Sequence, residues 1–285
     1  MSQALGGETI VTLANAKASV DIAPSRGAAT ARYDYLTPAG MQPVLLPVDG
    51  IANFPLAPWQ NRISGGGFIH RDRFIALAPN VPGEPFPIHG NAWQQPFRVT
   101  HKTGEKATMA LHSDGPGIYR YRAVIDYVLG VDGDLTIALE LTNEGPELPF
   151  GLGFHPYFPR DASTTLVAAA GTVTLQDEDY LPTETIPTSE RPELHFSERG
   201  TLPADLVNNE FQSWNGVADI RWPDRHLGCR LAAPGLTRYV VYSPGAHAPF
   251  FCFEPVTHSI DAFSRSMDAG GPIGIVMTLH PYLLQ

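Results

Sequence analysis

Charge is scarce in this 285-residue chain, and positive charge is scarcest: 17% of residues are charged, and 19 Lys and Arg stand against 29 Asp and Glu, for a formal net charge of −10. A surface for nucleic acid or anionic lipid needs clustered Lys and Arg to neutralise phosphates, so both partners are excluded. A neutral small ligand remains. Cysteine is almost missing as well. Cys229 and Cys252 each lie inside an apolar stretch, which reads as two buried thiols and not as a disulfide framework. No uninterrupted apolar run reaches the roughly 20 residues of a membrane helix. Residues 1–8 lack the basic segment and apolar core of a secretory leader. The location these absences imply is the cytoplasm. Compact metal-ligand spacings such as His-x-His are absent too, and amphipathic helical periodicity is rare.

What is present is a hydrophobic fraction of 43% divided by 27 Gly and 27 Pro into short apolar segments. Segments of that kind form strands joined by turns. The clearest spans 134–142, where Leu135, Ile137, Leu139 and Leu141 fall on one face and Thr136, Glu140 and Thr142 on the other. Its expected hairpin partner is 119–129, across Gly130-Val131-Asp132-Gly133. Comparable runs lie at 8–13, 18–22, 29–35, 68–77, 97–101, 107–112, 165–169, 172–175, 218–222, 229–232, 239–242, 250–253 and 273–279. So many strands without alternating helices predict an all-β fold, an antiparallel sandwich or barrel, in one domain over 1–285. The stretch 177–206, rich in Pro, Glu, Ser and Thr, reads as a long surface excursion of the kind that walls a site.

Three stretches each deliver one ionisable side chain from apolar surroundings: Pro87-Ile88-His89-Gly90-Asn91, Gly151-Leu152-Gly153-Phe154-His155-Pro156-Tyr157-Phe158-Pro159, and Phe250-Phe251-Cys252-Phe253-Glu254-Pro255. We expect His89, His155 and Glu254 to meet in one cleft. Histidine exchanges protons near neutrality, and a glutamate behind four apolar residues must be paired, ligand-bound or shifted in pKa, because an unpartnered buried carboxylate costs several kcal/mol or more. Upstream, Asn61-Arg62-Ile63-Ser64-Gly65-Gly66-Gly67 offers planar donors suited to the hydroxyls of a polar ligand, or else a loop arginine tied to a carboxylate. A phosphate-loop reading is poor, because no Lys-Ser or Lys-Thr follows and the next segment reads as a strand. Trp59, Trp93, Phe154, Tyr157 and Trp214 would serve either as flat faces for a sugar ring or as core.

In this order, Asn-Arg-Ile with glycines, Ile-His-Gly, Gly-Phe-His-Pro-Tyr-Phe, and Phe-Glu-Pro-Val-Thr-His followed by Asp261-Ala262-Phe263, the chain resembles the aldose 1-epimerase (galactose mutarotase) family over nearly its whole length. The resemblance implies a large antiparallel β-sandwich and anomer exchange on a free aldose without cofactor or metal. It implies Glu254 as general base, His155 as general acid, His89 as a second histidine near the sugar ring oxygen, and Asn61 and Arg62 on ring hydroxyls. Glu254 would then be ionised and His155 protonated at the start. Where many members carry an aspartate, the nearest match is Val207-Asn208-Asn209-Glu210-Phe211, so Asn208 is expected to contact the sugar and galactose preference is not implied. Three alternatives remain: a hexose-6-phosphate epimerase using Arg71, Arg73 and Arg98, a sugar-binding protein without turnover, and a metal-dependent isomerase with His89, His155 and Glu254 as ligands. The expected partner is a small sugar, and the chain a monomer or homodimer.

Overall fold

The computed structural model describes residues 9–265 and 273–285. Met1 to Gly7 and the leading residue of the 8–13 run lie outside the described residues, as does the leader reading made on residues 1–8. Among those described there is no α-helix, only five short 3-10 turns. All of the paired strands run antiparallel, as the short, turn-bounded apolar segments predict.

Two large sheets dominate. One has nine strands and contains the expected hairpin, Tyr121–Leu129 with Leu135–Asn143, in the order Gly200–Thr201, Thr165–Val167, Val217–Trp222, Leu227–Ala232, Gly274–Leu283, Leu135–Asn143, Tyr121–Leu129, Lys106–Ser113, Arg98–Lys102. The other runs Pro182–Pro187, Thr172–Gln176, Val207–Gln212, Arg238–Ser243, Phe250–Val256, Gly153–Phe154, Pro55–Leu56, with Tyr157–Pro159 also paired to Phe250–Val256. A four-stranded sheet over residues 11–45 and the hairpin Gly67–His70 with Arg73–Ala76 complete the architecture.

Alternation along the strands builds the core. Ile125, Tyr127, Ile137 and Leu139 from the nine-stranded sheet join Phe211, Tyr239 and Phe253 from the other in one apolar cluster. Tyr239 stacks on Phe211 at 4.9 Å and on Phe253 at 4.3 Å between ring centroids, the offset packing that aromatic quadrupoles favour. Trp59, Phe154 and Trp214 also go to the interior, at 1%, 0% and 3% exposure, so of the five aromatics offered as sugar faces these three are structural.

Two readings of the sequence are refined. The run 68–77 is a hairpin, not one strand, turning at Arg71 and Asp72 with φ of 47° and 62°. No glycine or asparagine marks that turn. The excursion 177–206 carries a strand of its own, Pro182–Pro187, which adds to the edge of the eight-stranded sheet.

Candidate active site

Strand register explains why the key side chains meet. Phe250–Val256 pairs Gly153 with Val256 and Tyr157 with Cys252, so His155, in the gap between two short strands, falls opposite Glu254. Pro156 supplies no N–H there, which breaks the ladder and leaves the histidine at the break. On the other side Gly153 pairs Leu56 and Phe154 pairs Pro55, which places Phe54 opposite His155, and the two rings stack at 4.5 Å and 16°. Continuing across the sheet, Glu254 pairs Val240 and Val240 pairs Glu210. The result is one cross-strand row: Phe54, His155, Glu254, Val240, Glu210. Two residues along lies a parallel row on the same face: Tyr157, Cys252, Tyr242, Asn208.

His155 Nε2 lies 3.3 Å from Glu254 Oε1, and both residues are buried, at 7% and 2% exposure. Neither Glu254 Oε2 nor His155 Nδ1 has a protein hydrogen-bond partner. Burial pushes the Glu254 carboxyl up to about 8, against the pull of the Arg62 charge, and pushes His155 down to about 3. The sequence led us to expect a carboxylate beside an imidazolium. Removal from water disfavours both charges, which favours the form with the single shared proton on the carboxyl over the charged pair. The two forms differ only by that proton's transfer between neighbours, and the pair is neutral in either.

His89 enters from a separate loop, its ring 5.2 Å from that of His155 and perpendicular to it. Its backbone is left-handed, with φ of 61°, and Asn61, which faces it, has φ of 53°. Conformations of this kind persist only where neighbours hold them. Here the two residues hold each other: His89 N–H donates to Asn61 O at 3.0 Å, and Asn61 N–H donates to His89 Nδ1 at 3.1 Å. The second bond fixes His89 as the neutral tautomer with its proton on Nε2. Burial, with the charges of His155 and Arg62, holds His89 well below the ordinary imidazole range. Gly90 follows at φ of 61°, and a side chain there would lie 2.0 Å from Ala57 O.

Both readings of Arg62 hold at once. Its Nε and Nη2 donate to the two oxygens of Glu84 at 3.0 and 2.7 Å, its Nη1 reaches Asn61 Oδ1 at 3.5 Å, and its guanidinium lies 5.0 Å over the Tyr180 ring. Its charge still reaches Glu254 and His89. The loop is tied down by the segment that follows Glu254. Asp261 accepts from Ser64 N–H at 2.8 Å, His258 Nε2 accepts from Gln60 N–H at 3.2 Å, and Gln60 Nε2 donates to His258 O at 2.8 Å. Glu210 anchors that segment in turn, accepting from the Ser259 hydroxyl at 2.7 Å and Ile260 N–H at 2.9 Å. Gly151 is required because a Cβ would lie 2.0 Å from the His258 ring.

The structure thus brings together His89, His155, Glu254, Asn61 and Arg62. Asn208 shares the face of Glu254 but stands two strands away, about 10 Å across the sheet. Trp93, tilted against Phe54 at 5.1 Å, and Tyr157, 4.9 Å from His155, are the aromatics at the site. Phe54, Glu84, Tyr180, Glu210 and Tyr242 were missed, and no local motif marks them. Arg71 pairs with Glu147 on the hairpin turn, Arg73 is exposed at the start of that hairpin's second strand, and Arg98 sits on the edge strand of the nine-stranded sheet, so the three stand on separate elements and do not form one anion cluster. Ligand atoms of His89, His155 and Glu254 lie within 4.8 Å of one another, a two-histidine, one-carboxylate set that could also hold a divalent cation. Among the described residues no helix is long and apolar enough to cross a membrane.

The model of one protein family, aldose 1-epimerase, matches residues 9–281. An uncharacterised Escherichia coli K12 protein, YphB, is 32% identical over 272 residues, which cover 90% of this chain and 91% of that protein. A solved structure of a candidate aldose 1-epimerase from Escherichia coli K12 superposes with a TM-score of 0.88 at 29% identity, over 98% of this chain and all (100%) of that one. The structure of a galactose 1-epimerase from Lactobacillus acidophilus NCFM superposes with a TM-score of 0.74 at 15% identity, over 97% and 95% of the two chains, which speaks to the fold alone.

Proposed function

The chain belongs to the aldose 1-epimerase family, and from that premise we propose that it interconverts the α and β anomers of a free aldose by acid/base ring opening and closure. The observation that carries this reading is the buried Glu254–His155 pair, 3.3 Å apart, with Oε2 and Nδ1 unpartnered. Buried polar atoms without partners are costly, and such atoms concentrate where a ligand completes them.

In the proposed cycle the shared proton first passes from Glu254 Oε1 to His155 Nε2. Glu254 then takes the proton of the anomeric hydroxyl while His155 gives one to the ring oxygen, breaking the C1–O bond and releasing the open-chain aldehyde. Rotation about C1–C2 presents the other carbonyl face. Closure returns both protons and yields the opposite anomer, so the pair ends as it began. Arg62 is the positive charge that favours the ionised form of Glu254. His89, held as the Nε2–H tautomer, donates a hydrogen bond to a sugar oxygen. Asn61 and Arg62 hold ring hydroxyls, and Asn208 contacts a hydroxyl on the far side of the ring.

A free sugar suits the cleft better than a phosphosugar. Arg62 already gives two bonds to Glu84, and the other arginines expected to hold a phosphate stand elsewhere. A phosphate in such a site would meet more carboxylate than cation.

The test is anomer exchange by saturation-transfer NMR on a panel of free aldoses and their 6-phosphates, with wild type, Glu254→Gln and His155→Ala. We expect acceleration by wild type on at least one free aldose, undiminished by EDTA, and a loss of about 10²–10⁴-fold in each variant. Acceleration on 6-phosphates alone would move the substrate to the phosphosugar class. Binding without exchange would make this a sugar sensor, and loss of the rate in EDTA would favour the metal reading.

A further inference from the structure

The face that carries Glu254 does not end at Asn208. Thr174 pairs with Glu210 at the end of the ladder that joins their strands. Gln176, two residues along the same strand and past an irregularity in its pairing with 182–187, lines one cavity with Asn208, extending the second row to Tyr157, Cys252, Tyr242, Asn208 and Gln176. At its far end opens a cavity of about 680 Å³, bounded by Gln176, Asp177, Tyr180, Arg191, Asp205 and Asn208 among others. That volume lies within the range of small-molecule sites, about 300–1,000 Å³. From the Glu254 strand to the Gln176 strand is three strand spacings, about 14 Å, which is longer than one pyranose ring.

The cavity shares one wall residue with the catalytic cleft. Tyr180 lines it and lies under the Arg62 guanidinium. Tyr242 stands between cavity and cleft along the sheet, paired with Asn208 on one side and Cys252 on the other. A second observation points to a ligand. Both amide atoms of Gln176, Nε2 and Oε1, are buried without a hydrogen-bond partner. An amide donor and an acceptor at one spot, beside a 38%-exposed Tyr180 ring and the Asn208 amide, are the groups that bind a second sugar ring by hydroxyl hydrogen bonds and face stacking. The lining carries Asp177, Glu193 and Asp205 against the lone Arg191, which is itself 3.3 Å from Glu193, so an anionic substituent is disfavoured.

We infer that this cavity is a second subsite and that the preferred substrate is a neutral reducing disaccharide or larger glycan, with its reducing-end ring at Glu254 and His155 and the next ring against Gln176 and Tyr180. The inference rests on the mutarotase reading and adds a substrate class to it. Ring opening needs a free anomeric hydroxyl, so the second ring hangs from another oxygen of the first. The class of reaction that supplies such a substrate is glycoside or polysaccharide hydrolysis, which releases one anomer.

Maltose, cellobiose and lactose share glucose as the reducing-end ring, so their exchange rates relative to glucose report the second ring. In saturation-transfer NMR we expect kcat/KM for at least one of them to exceed that for glucose at least five-fold. The ratio should fall at least five-fold in Gln176→Leu, which keeps the side-chain volume and removes the amide, and in Ala204→Trp, which fills the cavity from its exposed rim. Ratios at or below one for all three disaccharides, a ratio unchanged in both variants, or glucose 6-phosphate surpassing every disaccharide would overturn the subsite. If no sugar is turned over, the mutarotase reading fails separately. Calorimetric titration of the three disaccharides then decides: binding weakened five-fold or more by both substitutions keeps the subsite, and no such binding removes it.

Discussion

The two faces of the eight-stranded sheet are made by the same strands and differ in almost every physical respect. Inward, Phe253, Val241, Tyr239 and Phe211 alternate into the core, stacked and fully buried. Outward, Glu254, Val240 and Glu210 form one row and Cys252, Tyr242 and Asn208 the next. Only a small apolar group, with Phe54, Leu56, Val240, Val256 and Ile260, packs on that side. The inner face is satisfied without a ligand: the Tyr239 hydroxyl donates to Ala168 O at 2.7 Å, and the Ser243 hydroxyl accepts from Arg160. The outer face is not, since Glu254 Oε2 and His155 Nδ1 are buried and unpartnered. Stability lives on one side of the sheet and chemistry on the other, one residue apart.

Neighbouring substitutions should therefore have opposite signatures. Phe253→Ala leaves a cavity in the aromatic stack and should cost about 3–5 kcal/mol in denaturant unfolding, while folded molecules keep their exchange rate at low temperature. Glu254→Gln should remove the rate by about three orders of magnitude and leave the melting temperature equal or higher, because a carboxyl that burial destabilises is replaced by a neutral group. A Glu254→Gln protein that melts well below wild type would break the division, since it would make Glu254 structural.

How far the sequence reveals these faces depends on whether the signal is local. Alternation shows the strands and the core face, and short motifs deliver His89, His155 and Glu254 as single polar residues in apolar runs. What brings His155 opposite Glu254 is a strand pairing 99 residues apart in the chain, which no window along the sequence displays. The same holds for Glu84 on Arg62, Phe54 on His155, and Tyr242 and Gln176 in the second row. Each is an ordinary residue whose position comes from long-range register. The strand Pro182–Pro187 was hidden for another reason: prolines at its ends and a single apolar residue, Ile186, between them give it no periodicity, and it forms as an edge, where a missing N–H is tolerated.

A moderate effect is expected in the pH dependence, where the outer face should again behave unlike the inner one. The pair is neutral between about 3, where His155 titrates, and about 8, where Glu254 does, so the exchange rate should be flat across the middle of that window and fall above about 8. Stability follows the same shifts with opposite signs at the two ends. The folded-state pKa of Glu254 is raised from 4.5 to about 8, so its contribution is complete below 4.5 and is lost as pH rises to about 8. That of His155 is lowered from 6.5 to about 3, so its contribution is complete above 6.5 and is lost as pH falls to about 3. The melting temperature of Glu254→Gln relative to wild type should therefore climb between pH 4.5 and 8, whereas Phe253→Ala should show a constant deficit. A constant difference for both would mean that Glu254 titrates near its ordinary value.

The smallest effect should come from Glu84, which never reaches the sheet face and acts on it through Arg62. Its carboxylate holds Nε and Nη2 of that arginine at 3.0 and 2.7 Å and offsets the charge that favours ionised Glu254. In Glu84→Gln the amide oxygen still accepts one of those bonds, so Arg62 stays while the local charge rises by one unit. The Glu254 carboxyl then ionises more readily, and the alkaline limb of the rate profile should move to lower pH. Glu84→Ala removes the tether as well, so Arg62 leaves toward water, Glu254 loses its nearest positive charge, and the limb should move to higher pH. Opposite shifts from two substitutions at one position are the signature of a counter-charge that also tethers. Shifts of the same sign would reduce Glu84 to a tether, and the charge of the outer face would then be set by Arg62 alone.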